Sequence, residues 1–209
     1  MPTALITGAN RGLGAELARQ YQADGWKVIG STRREFDVTD FPGVKRFSQS
    51  LKGEPIDLLF CNAGIAGKRG SGIGSFDYAS WEEVMRVNVL GAAAVAEAFV
   101  ENVAASERKV IAFMSSRLGS IAETSGHTLP YASSKAALNM VAKAFSVLLA
   151  PRGITVVALH PGWVRTDMGG PSAALDPEES VAGMRKVIAG LTLEQSGRFW
   201  SWDGEQVPW

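Results

Sequence analysis

Thr7-Gly8-Ala9-Asn10-Arg11-Gly12-Leu13-Gly14 is a glycine-rich segment near the N-terminus, with the spacing G-x-x-x-G-x-G. The apolar run Ala4-Leu5-Ile6 before it predicts a buried strand, and residues 15–24 after it have helical composition. The glycines are therefore predicted to form a strand-to-helix turn, whose backbone N–H groups and helix dipole favour a phosphate. Because Gly12 and Gly14 lack a Cβ, a pyrophosphate can approach the backbone closely. The alternative is a glycine-rich turn that binds no ligand, and the rest of the sequence has to decide between these two interpretations.

The composition excludes several classes of partner. The chain has 209 residues, of which 21 are basic and 21 acidic, so its formal net charge is zero. No electrostatic footprint points to nucleic acid or to an anionic membrane, and no apolar run reaches the length of a membrane span. The single cysteine, Cys61, cannot form an internal disulfide, and no His, Cys or Asp cluster has metal-ligand spacing. We therefore expect no metal site. Because the N-terminus also lacks a signal-peptide pattern, we expect a cytoplasmic protein.

Apolar runs alternate with helical segments along the whole chain. The predicted strands are 4–6, 26–31, 55–61, 109–114, 154–160 and 197–201. The predicted helices are 15–24, 41–51, 80–103 (opened by the capping-box pattern Ser80-Trp81-Glu82-Glu83), 136–149 (opened by 130–135) and 176–190. This alternation predicts one α/β domain over residues 1–209, a doubly wound, mostly parallel sheet of the Rossmann type with helices on both faces. Residues 37–40 follow the second strand too closely for a long crossover helix, so this part of the sheet is expected to be abbreviated. Residues 67–74 are glycine-rich and predict a loop.

The end of the second strand bears on cofactor choice. In a β-α-β unit of this kind an Asp or Glu there selects NAD, whereas a nearby Arg accommodates the 2′-phosphate of NADP. Thr32-Arg33-Arg34 supplies two guanidinium groups, and Arg11 in the glycine turn could add a third. We therefore predict NADP(H), with a solvated basic loop as the alternative. Asp37 is a candidate for the adenine amino group, or else an ordinary turn aspartate.

Small and polar residues follow several predicted strands, at the edge of the sheet where open α/β folds bind ligands. Asn62-Ala63-Gly64 comes after the third strand, and Ser115-Ser116 comes after the fourth. Tyr131 and Lys135 are four residues apart, so a helix places them on one face. An ammonium on that face lowers the pKa of a phenol, which makes Tyr131 a candidate acid or base near neutral pH. Asn88 lies in an apolar helical segment and needs hydrogen-bond partners, either as a structural link or as part of a polar site.

These motifs resemble the short-chain dehydrogenase/reductase family over nearly the whole chain. The matching residues occur in the family's order: Thr7-Gly8, Gly12, Gly14, Asn62-Ala63-Gly64, Asn88, Ser116, Tyr131, Lys135, Pro161-Gly162 and Thr166. The short connection from Arg33 to Asp37 and the ending from Gly197 to Trp209 resemble the carbonyl-reductase-like branch, which includes the bacterial C-factor-like proteins. The resemblance implies a Rossmann fold and hydride transfer between a nicotinamide cofactor and a carbonyl or alcohol carbon.

The resemblance also implies a role for each site residue. Tyr131 is the expected general acid or base, Lys135 holds the nicotinamide ribose, and Ser116 hydrogen-bonds the substrate oxygen. Ser115 is the alternative to Ser116, but the family spacing Ser-x-x-Gly favours Ser116. Asn88 is expected to fix a water that relays protons. The expected cofactor-binding residues are Gly8, Asn10, Arg11, Gly12, Leu13, Gly14, Thr32, Arg33, Asp37, Asn62, Ala63, Gly64, Tyr131, Lys135, Pro161, Gly162, Val164 and Thr166.

The sequence thus predicts an NADP(H)-dependent oxidoreductase acting on a small-molecule carbonyl or secondary alcohol, with residues 167–180 as a flap over the substrate. The alternative is a cofactor-binding signalling or regulatory protein with little or no turnover, as C-factor-like relatives suggest. An intact set of catalytic residues favours the enzyme, because a pure binder has no need of an activated tyrosine. A homodimer is expected from the resemblance, with a tetramer as the second possibility. The motifs do not identify the substrate, because specificity lies in loops that they do not fix.

Overall fold

The centre of the fold is one parallel sheet of six strands in the order β2-β1-β3-β4-β5-β6. The strands are β1 (Thr3–Thr7), β2 (Lys27–Ser31), β3 (Leu58–Cys61), β4 (Val110–Met114), β5 (Thr155–His160) and β6 (Phe199–Ser201). The computed structural model describes residues 1–70 and 72–209, so Ser71, in the predicted loop 67–74, lies outside the described residues. The strand order reverses between β1 and β3, and the carboxyl ends of these neighbours therefore border the usual ligand crevice of such sheets.

Helices connect the strands and cover both faces of the sheet. They are α1 (Gly12–Ala23), α2 (Phe41–Ser50), α3 (Tyr78–Met85), α4 (Ala92–Ala98), α5 (Val100–Ala104), α6 (Leu129–Leu149) and α7 (Pro177–Ala189). A π-helical turn, Arg86–Gly91, joins α3 to α4, and a short 3₁₀ turn, Arg117–Gly119, follows β4. The predicted α/β fold with a doubly wound parallel sheet is confirmed.

Two apolar cores lie on opposite faces of the sheet, because successive strand side chains point to opposite sides. On one face α1 and α7 pack through side chains such as Leu17 and Met184. On the other face α2, α4, α5 and α6 pack through side chains such as Val44, Phe99 and Leu138. The buried strands are apolar on both sides, as parallel sheets covered by helices require.

The edge of the sheet is abbreviated, as the sequence predicts. Residues 32–40 form turns, and β2 pairs only with β1 among the described strands. The ten-residue helix α2 alone leads from this edge to β3 on the other side of β1. The carboxyl end of β2 therefore opens directly onto a short turn-rich segment.

The start of the predicted helix 80–103 is wrong by two residues. The helix begins at Tyr78, and the side chain of Asp77 accepts a hydrogen bond from the backbone N–H of Ser80 at 3.0 Å. Asp77 therefore caps the helix, whereas the Ser80 hydroxyl accepts the backbone N–H of Lys68 at 2.9 Å. The π-helical turn then interrupts the regular helix and contains Asn88. Such turns are frequent at functional sites.

Candidate active site

The glycine turn between β1 and α1 has the geometry that its sequence predicts. Gly8 has a φ of +70° and Gly12 a φ of +53°, a left-handed conformation that side chains disfavour. A Cβ added to Gly14 would lie 2.2 Å from the carbonyl oxygen of Gly8, so only glycine fits there. At Gly12 the nearest atom to such a Cβ is Cγ2 of Thr166 at 3.6 Å, across the cleft. The turn is thus a cradle of bare backbone of the kind that a pyrophosphate fills.

Thr7 joins this turn to the end of β3. Its Oγ1 accepts the backbone N–H groups of Asn62 and Ala63, each at 3.0 Å. In return the Asn62 side chain donates to the carbonyl oxygen of Thr7 at 2.8 Å. Our sequence reasoning did not assign Thr7 a site role, although a hydroxyl at the last position of a buried strand was the available signal. Thr7 and Asn62 fix the floor between the two strand ends.

A cavity of about 800 Å³ runs along the carboxyl ends of the strands. It brings together most of the predicted site residues: Gly8, Asn10, Arg11, Gly12, Leu13, Gly14, Thr32, Arg33, Asp37, Asn62, Ala63, Gly64, Tyr131, Lys135, Pro161 and Thr166. It is also lined by Asp167 and Met168 of the predicted flap, and by residues that the sequence did not suggest, among them Phe36, Arg69 and Met114. Four predicted residues are not part of this lining: Asn88, Ser116, Gly162 and Val164.

Lys135 is buried beside Tyr131 at the start of α6. It is 3% exposed, and its Nζ donates to the carbonyl oxygen of Met114 at 2.7 Å. The same Nζ lies 5.5 Å from the centre of the Tyr131 ring. Burial lowers the pKa of Lys135 to about 8. The two side chains therefore share one helix face and border one cavity.

The pKa of Tyr131 shifts in the direction opposite to our expectation. Burial raises it to about 12, and a hydrogen bond between the Ser116 and Tyr131 side chains opposes this rise. The Lys135 ammonium faces the ring of Tyr131 and carries a lowered pKa of its own, so its charge does not outweigh burial. The phenol consequently keeps its proton at neutral pH.

The two serines after β4 have different partners. The hydroxyl of Ser115 donates to Oδ1 of Asn139 at 2.5 Å, and both residues are buried. Ser116 accepts the backbone N–H of Leu118 at 3.3 Å and is also hydrogen-bonded to Tyr131. Ser115 lines the cavity, but Asn139 engages its hydroxyl. The hydrogen bond to Tyr131 therefore favours Ser116 as the serine that acts with Tyr131.

Asn88 is a structural link close to the site. Its Oδ1 accepts the backbone N–H of Ile65 at 2.8 Å, and its Nδ2 donates to the carbonyl of Ile65 at 2.9 Å. The Nδ2 also donates to the hydroxyl of Ser134 at 3.0 Å, and that hydroxyl donates to the carbonyl of Tyr131 at 2.7 Å. The side chain of Asn88 therefore ties the segment after β3 to the first turn of α6 and so positions Tyr131.

A carboxylate that the sequence analysis overlooked lies next to the basic end of the cavity. Oε2 of Glu35 accepts both the backbone N–H and the hydroxyl of Thr32, each at 2.7 Å. Arg33 is exposed and lies 3.7 Å from Asp37. Asp37 accepts the backbone N–H and the hydroxyl of Thr39, each at 2.8 Å, which is the turn role left open by the sequence. Acidic and basic groups thus meet at the end of β2.

The segment after β5 is held by hydrogen bonds rather than left open. Gly162 has a φ of +83°, and a Cβ there would lie 2.8 Å from Cδ2 of Leu175. The backbone N–H of Arg165 donates to the carbonyl of Leu175 at 2.9 Å, and the N–H of Leu175 donates to the carbonyl of Trp163 at 3.1 Å. This pairing engages the neighbours of Val164 and not its own N–H group. Residues 177–180 of the predicted flap belong to α7.

Over 1–70 and 72–209, no group of three or more His, Cys, Asp or Glu side chains could hold a metal ion. Within the same ranges, no helix has both the length and the apolar character that crossing a membrane requires.

A six-stranded parallel sheet with a glycine turn at its switch point defines a Rossmann-type protein. The chain belongs to the short-chain dehydrogenase family of oxidoreductases, whose family model matches residues 32–175. It is 41% identical over 167 residues to the C-signal of Myxococcus xanthus, which covers 79% of this chain and 100% of that protein. It is 34% identical to the 1-hydroxy-2-glutathionyl-2-methyl-3-butene dehydrogenase of Rhodococcus sp. strain AD45, with 100% of both chains covered.

A solved structure agrees with this assignment. The NADPH-bound carbonyl reductase from chicken fatty liver is 30% identical and has a TM-score of 0.86, covering 100% of this chain and 99% of that one. The resemblance to the carbonyl-reductase-like branch is therefore confirmed.

Proposed function

We propose that the protein is an NADP(H)-dependent oxidoreductase that transfers a hydride between the nicotinamide and a carbonyl or secondary alcohol. One observation carries this proposal: Tyr131 and Lys135 line the same 800 Å³ cavity as the bare glycine turn. A dinucleotide held at the turn and a proton donor at the other side of one cavity are what this chemistry requires.

The residues of the cavity fit a dinucleotide. The backbone of the turn from Gly8 to Gly14 would hold the pyrophosphate, because a Cβ at Gly14 would fill the cradle. Asn62-Ala63-Gly64 would lie along the adenosine half, and Pro161 to Thr166 would hold the nicotinamide half. Lys135 would bind the ribose hydroxyls next to the nicotinamide.

The protein's own groups would manage the proton and the substrate oxygen. When bound, the nicotinamide supplies or accepts the hydride. The Tyr131 phenol, protonated at neutral pH, donates its proton to the carbonyl oxygen during reduction. Ser116, hydrogen-bonded to Tyr131, holds the same oxygen in place, while Asn88 fixes the first turn of α6.

We assign the preference for NADP(H) to Arg33 and Arg34. Both line the cavity at the end of β2, where guanidinium groups bind a phosphate well. The NADPH in the chicken carbonyl reductase supports the same choice for this chain. Glu35 opposes it, because its carboxylate lies on Thr32 beside the same position.

Turnover of a carbonyl panel with NADPH tests the proposal, with Tyr131→Phe as the matched variant. The variant keeps the ring and loses only the proton donor. Its kcat is expected to fall about 10²- to 10⁴-fold, with cofactor affinity unchanged. A wild-type protein that turns over no carbonyl or alcohol, or a variant with unchanged kcat, contradicts the proposal.

A cofactor-binding signalling protein with little turnover is the second candidate, and the similarity to the C-signal favours it. One comparison distinguishes the enzyme from the signalling protein. In a cell whose phenotype depends on the protein, Tyr131→Phe abolishes an effect that needs turnover and leaves intact an effect that needs only cofactor binding.

We also propose a cytoplasmic homodimer. Exposed apolar side chains lie on the helices that carry the site: Leu90 beside Asn88, and Met140 and Val147 on α6. Within the alanine-rich stretch after Asn88, Ala92 is buried in the chain's own core and so does not contribute to an interface. Light scattering on the purified protein tests the dimer, and a monomer at micromolar concentration contradicts it.

A further inference from the structure

Asn139 is a buried amide on α6, eight residues after Tyr131 and four after Lys135. Side chains at these spacings lie along one face of a helix. Asn139 is 3% exposed, and it does not belong to the described residues that line the cavity. Any effect of Asn139 on the site therefore passes through the groups that its side chain holds.

The two polar atoms of this amide hold the two ends of one short turn. Its Oδ1 accepts the hydroxyl of Ser115 at 2.5 Å, and its Nδ2 donates to the carbonyl oxygen of Gly119 at 3.1 Å. Ser116, the serine that we propose to act with Tyr131, lies between these ends. The backbone N–H of Gly119 closes the turn, because it donates to the carbonyl oxygen of Ser116 at 2.8 Å. One side chain of α6 thus brackets Ser116 on both sides.

The same turn packs directly on the backbone of α6. A Cβ added to Gly119 would lie 2.6 Å from the carbonyl carbon of Lys135, so only glycine allows this approach. Ser115 is also fixed to the sheet, since its backbone N–H donates to the carbonyl oxygen of Leu159 on β5 at 2.8 Å. Because a buried polar group without a partner is costly, the two hydrogen bonds of Asn139 resist any shift of the turn along the helix.

The contact between this turn and α6 sets the distance between the Ser116 and Tyr131 hydroxyls. Tyr131 belongs to α6, whereas Ser116 belongs to the segment after β4. Both hydroxyls have to reach one substrate oxygen in the proposed reaction. A displacement of about 1 Å in such an arrangement can cost roughly 10²-fold in rate.

We infer that Asn139 is a positioning residue, which holds the turn from Ser115 to Gly119 on α6 and so keeps the Ser116 hydroxyl beside the Tyr131 phenol. It acts on the reaction through Ser116 and touches neither coenzyme nor substrate. This inference rests on the proposed function, because it assumes that Ser116 and Tyr131 act on one substrate oxygen.

Carbonyl reduction at saturating NADPH, measured in two backgrounds, tests this role. Asn139→Leu keeps a side chain of similar size and removes both hydrogen bonds. In the wild-type background we expect kcat per folded protein to fall roughly 10- to 100-fold, with the dissociation constant of NADPH unchanged. In a Ser116→Ala background no hydroxyl is left to position, so Asn139→Leu should alter kcat by less than about twofold. Urea unfolding gives the folded fraction of each protein.

Asn102→Leu is the matched control. Asn102 is also a buried amide, and its Nδ2 donates to the carbonyl oxygens of Leu51 and Glu54 at 2.6 and 2.8 Å. None of these three belongs to the described residues that line the cavity. Asn102→Leu should lower stability and leave kcat per folded protein unchanged.

Ser115→Ala keeps the test decisive if Asn139→Leu does not fold. It removes only one of the two hydrogen bonds of Asn139 and leaves the amide in place. Its fall in kcat should be smaller than that of Asn139→Leu, and it should likewise disappear in the Ser116→Ala background.

The inference is overturned if Asn139→Leu, or Ser115→Ala in its place, lowers kcat by the same factor in both backgrounds. It is also overturned if kcat is unchanged in the wild-type background, or if Asn102→Leu lowers kcat as much. A wild-type protein that turns over no carbonyl or alcohol overturns the proposed function instead, and this result is seen before any variant is compared.

Discussion

Lys135 and Arg33 mark the two ends of one cavity and are held in very different ways. Lys135 is 3% exposed, and its ammonium donates to a buried carbonyl at 2.7 Å. The side chain of Arg33 is 79% exposed and lies 3.7 Å from its nearest carboxylate. The fold itself therefore fixes the geometry at the end that we propose to be reactive, whereas the end that we propose to select the cofactor is exposed and loosely held. Changes at the first end should cost turnover and stability, and changes at the second should cost selectivity alone.

The largest effect is expected from Lys135→Met. The change leaves the carbonyl of Met114 without its donor and removes the cation next to Tyr131. We expect kcat to fall at least about 10²-fold, the lower range for loss of assisted proton transfer. Steady-state kinetics at saturating cofactor measure it. Lys143→Met, at an exposed position of the same helix, is the control and should leave kcat unchanged; equal effects of both substitutions contradict a special role for Lys135.

Burial of Lys135 should also make the free energy of unfolding depend on pH. Burial lowers the pKa of Lys135 from 10.5 to about 8, so between these pH values the unfolded chain holds the proton more tightly. The free energy of unfolding of the wild type should therefore rise with pH in this window relative to Lys135→Met. The gain is about 3 kcal/mol at most.

Urea unfolding of both proteins at pH 7, 8, 9 and 10 measures this difference. The raised pKa values of Tyr131 and Cys61 have the opposite effect on stability, but they act in both proteins and cancel in the difference. If the difference in unfolding free energy between the wild type and Lys135→Met stays constant or falls as the pH rises, Lys135 is not a buried ammonium.

Gly14→Ala tests the glycine turn, on which we expect the binding of both coenzymes to depend. The new Cβ would lie 2.2 Å from the carbonyl oxygen of Gly8 and push α1 away from the turn. We expect a loss of about 1–3 kcal/mol in unfolding free energy and weaker binding of both coenzymes. Gly190→Ala is the matched control, because its Cβ would meet only carbonyl oxygens at 3.7 Å. Equal stability losses for the two variants would show that the turn tolerates a side chain.

Features that depend on local spacing could be predicted from the sequence. The glycines need bare backbone whatever surrounds them, and residues four apart on a helix share a face, so the turn and the Tyr131–Lys135 pair follow directly. The doubly wound parallel sheet also follows, because alternating strands and helices allow few topologies.

Features that depend on tertiary surroundings could not be predicted. The direction of the Tyr131 shift depends on how deeply α6 buries the phenol, and no local pattern shows burial depth. Arg11 forms an ion pair with Asp167, which is 156 residues away, so nothing in the sequence pairs them. Glu35 reaches Thr32 only because residues 32–40 form turns instead of a longer strand.

Substitutions at the exposed end of the cavity should have the smallest effects on kcat. They also test the proposed cofactor most directly. Titration of the wild type, Arg33→Ala and Glu35→Gln with NADPH and NADH measures the ratio of the two dissociation constants. We predict tighter NADPH binding by the wild type, a smaller preference in Arg33→Ala and a larger one in Glu35→Gln, with kcat at saturating cofactor unchanged in both. Tighter NADH binding by the wild type, weakened in Glu35→Gln, would make Glu35 the ribose-binding carboxylate and contradict an NADP(H)-dependent enzyme.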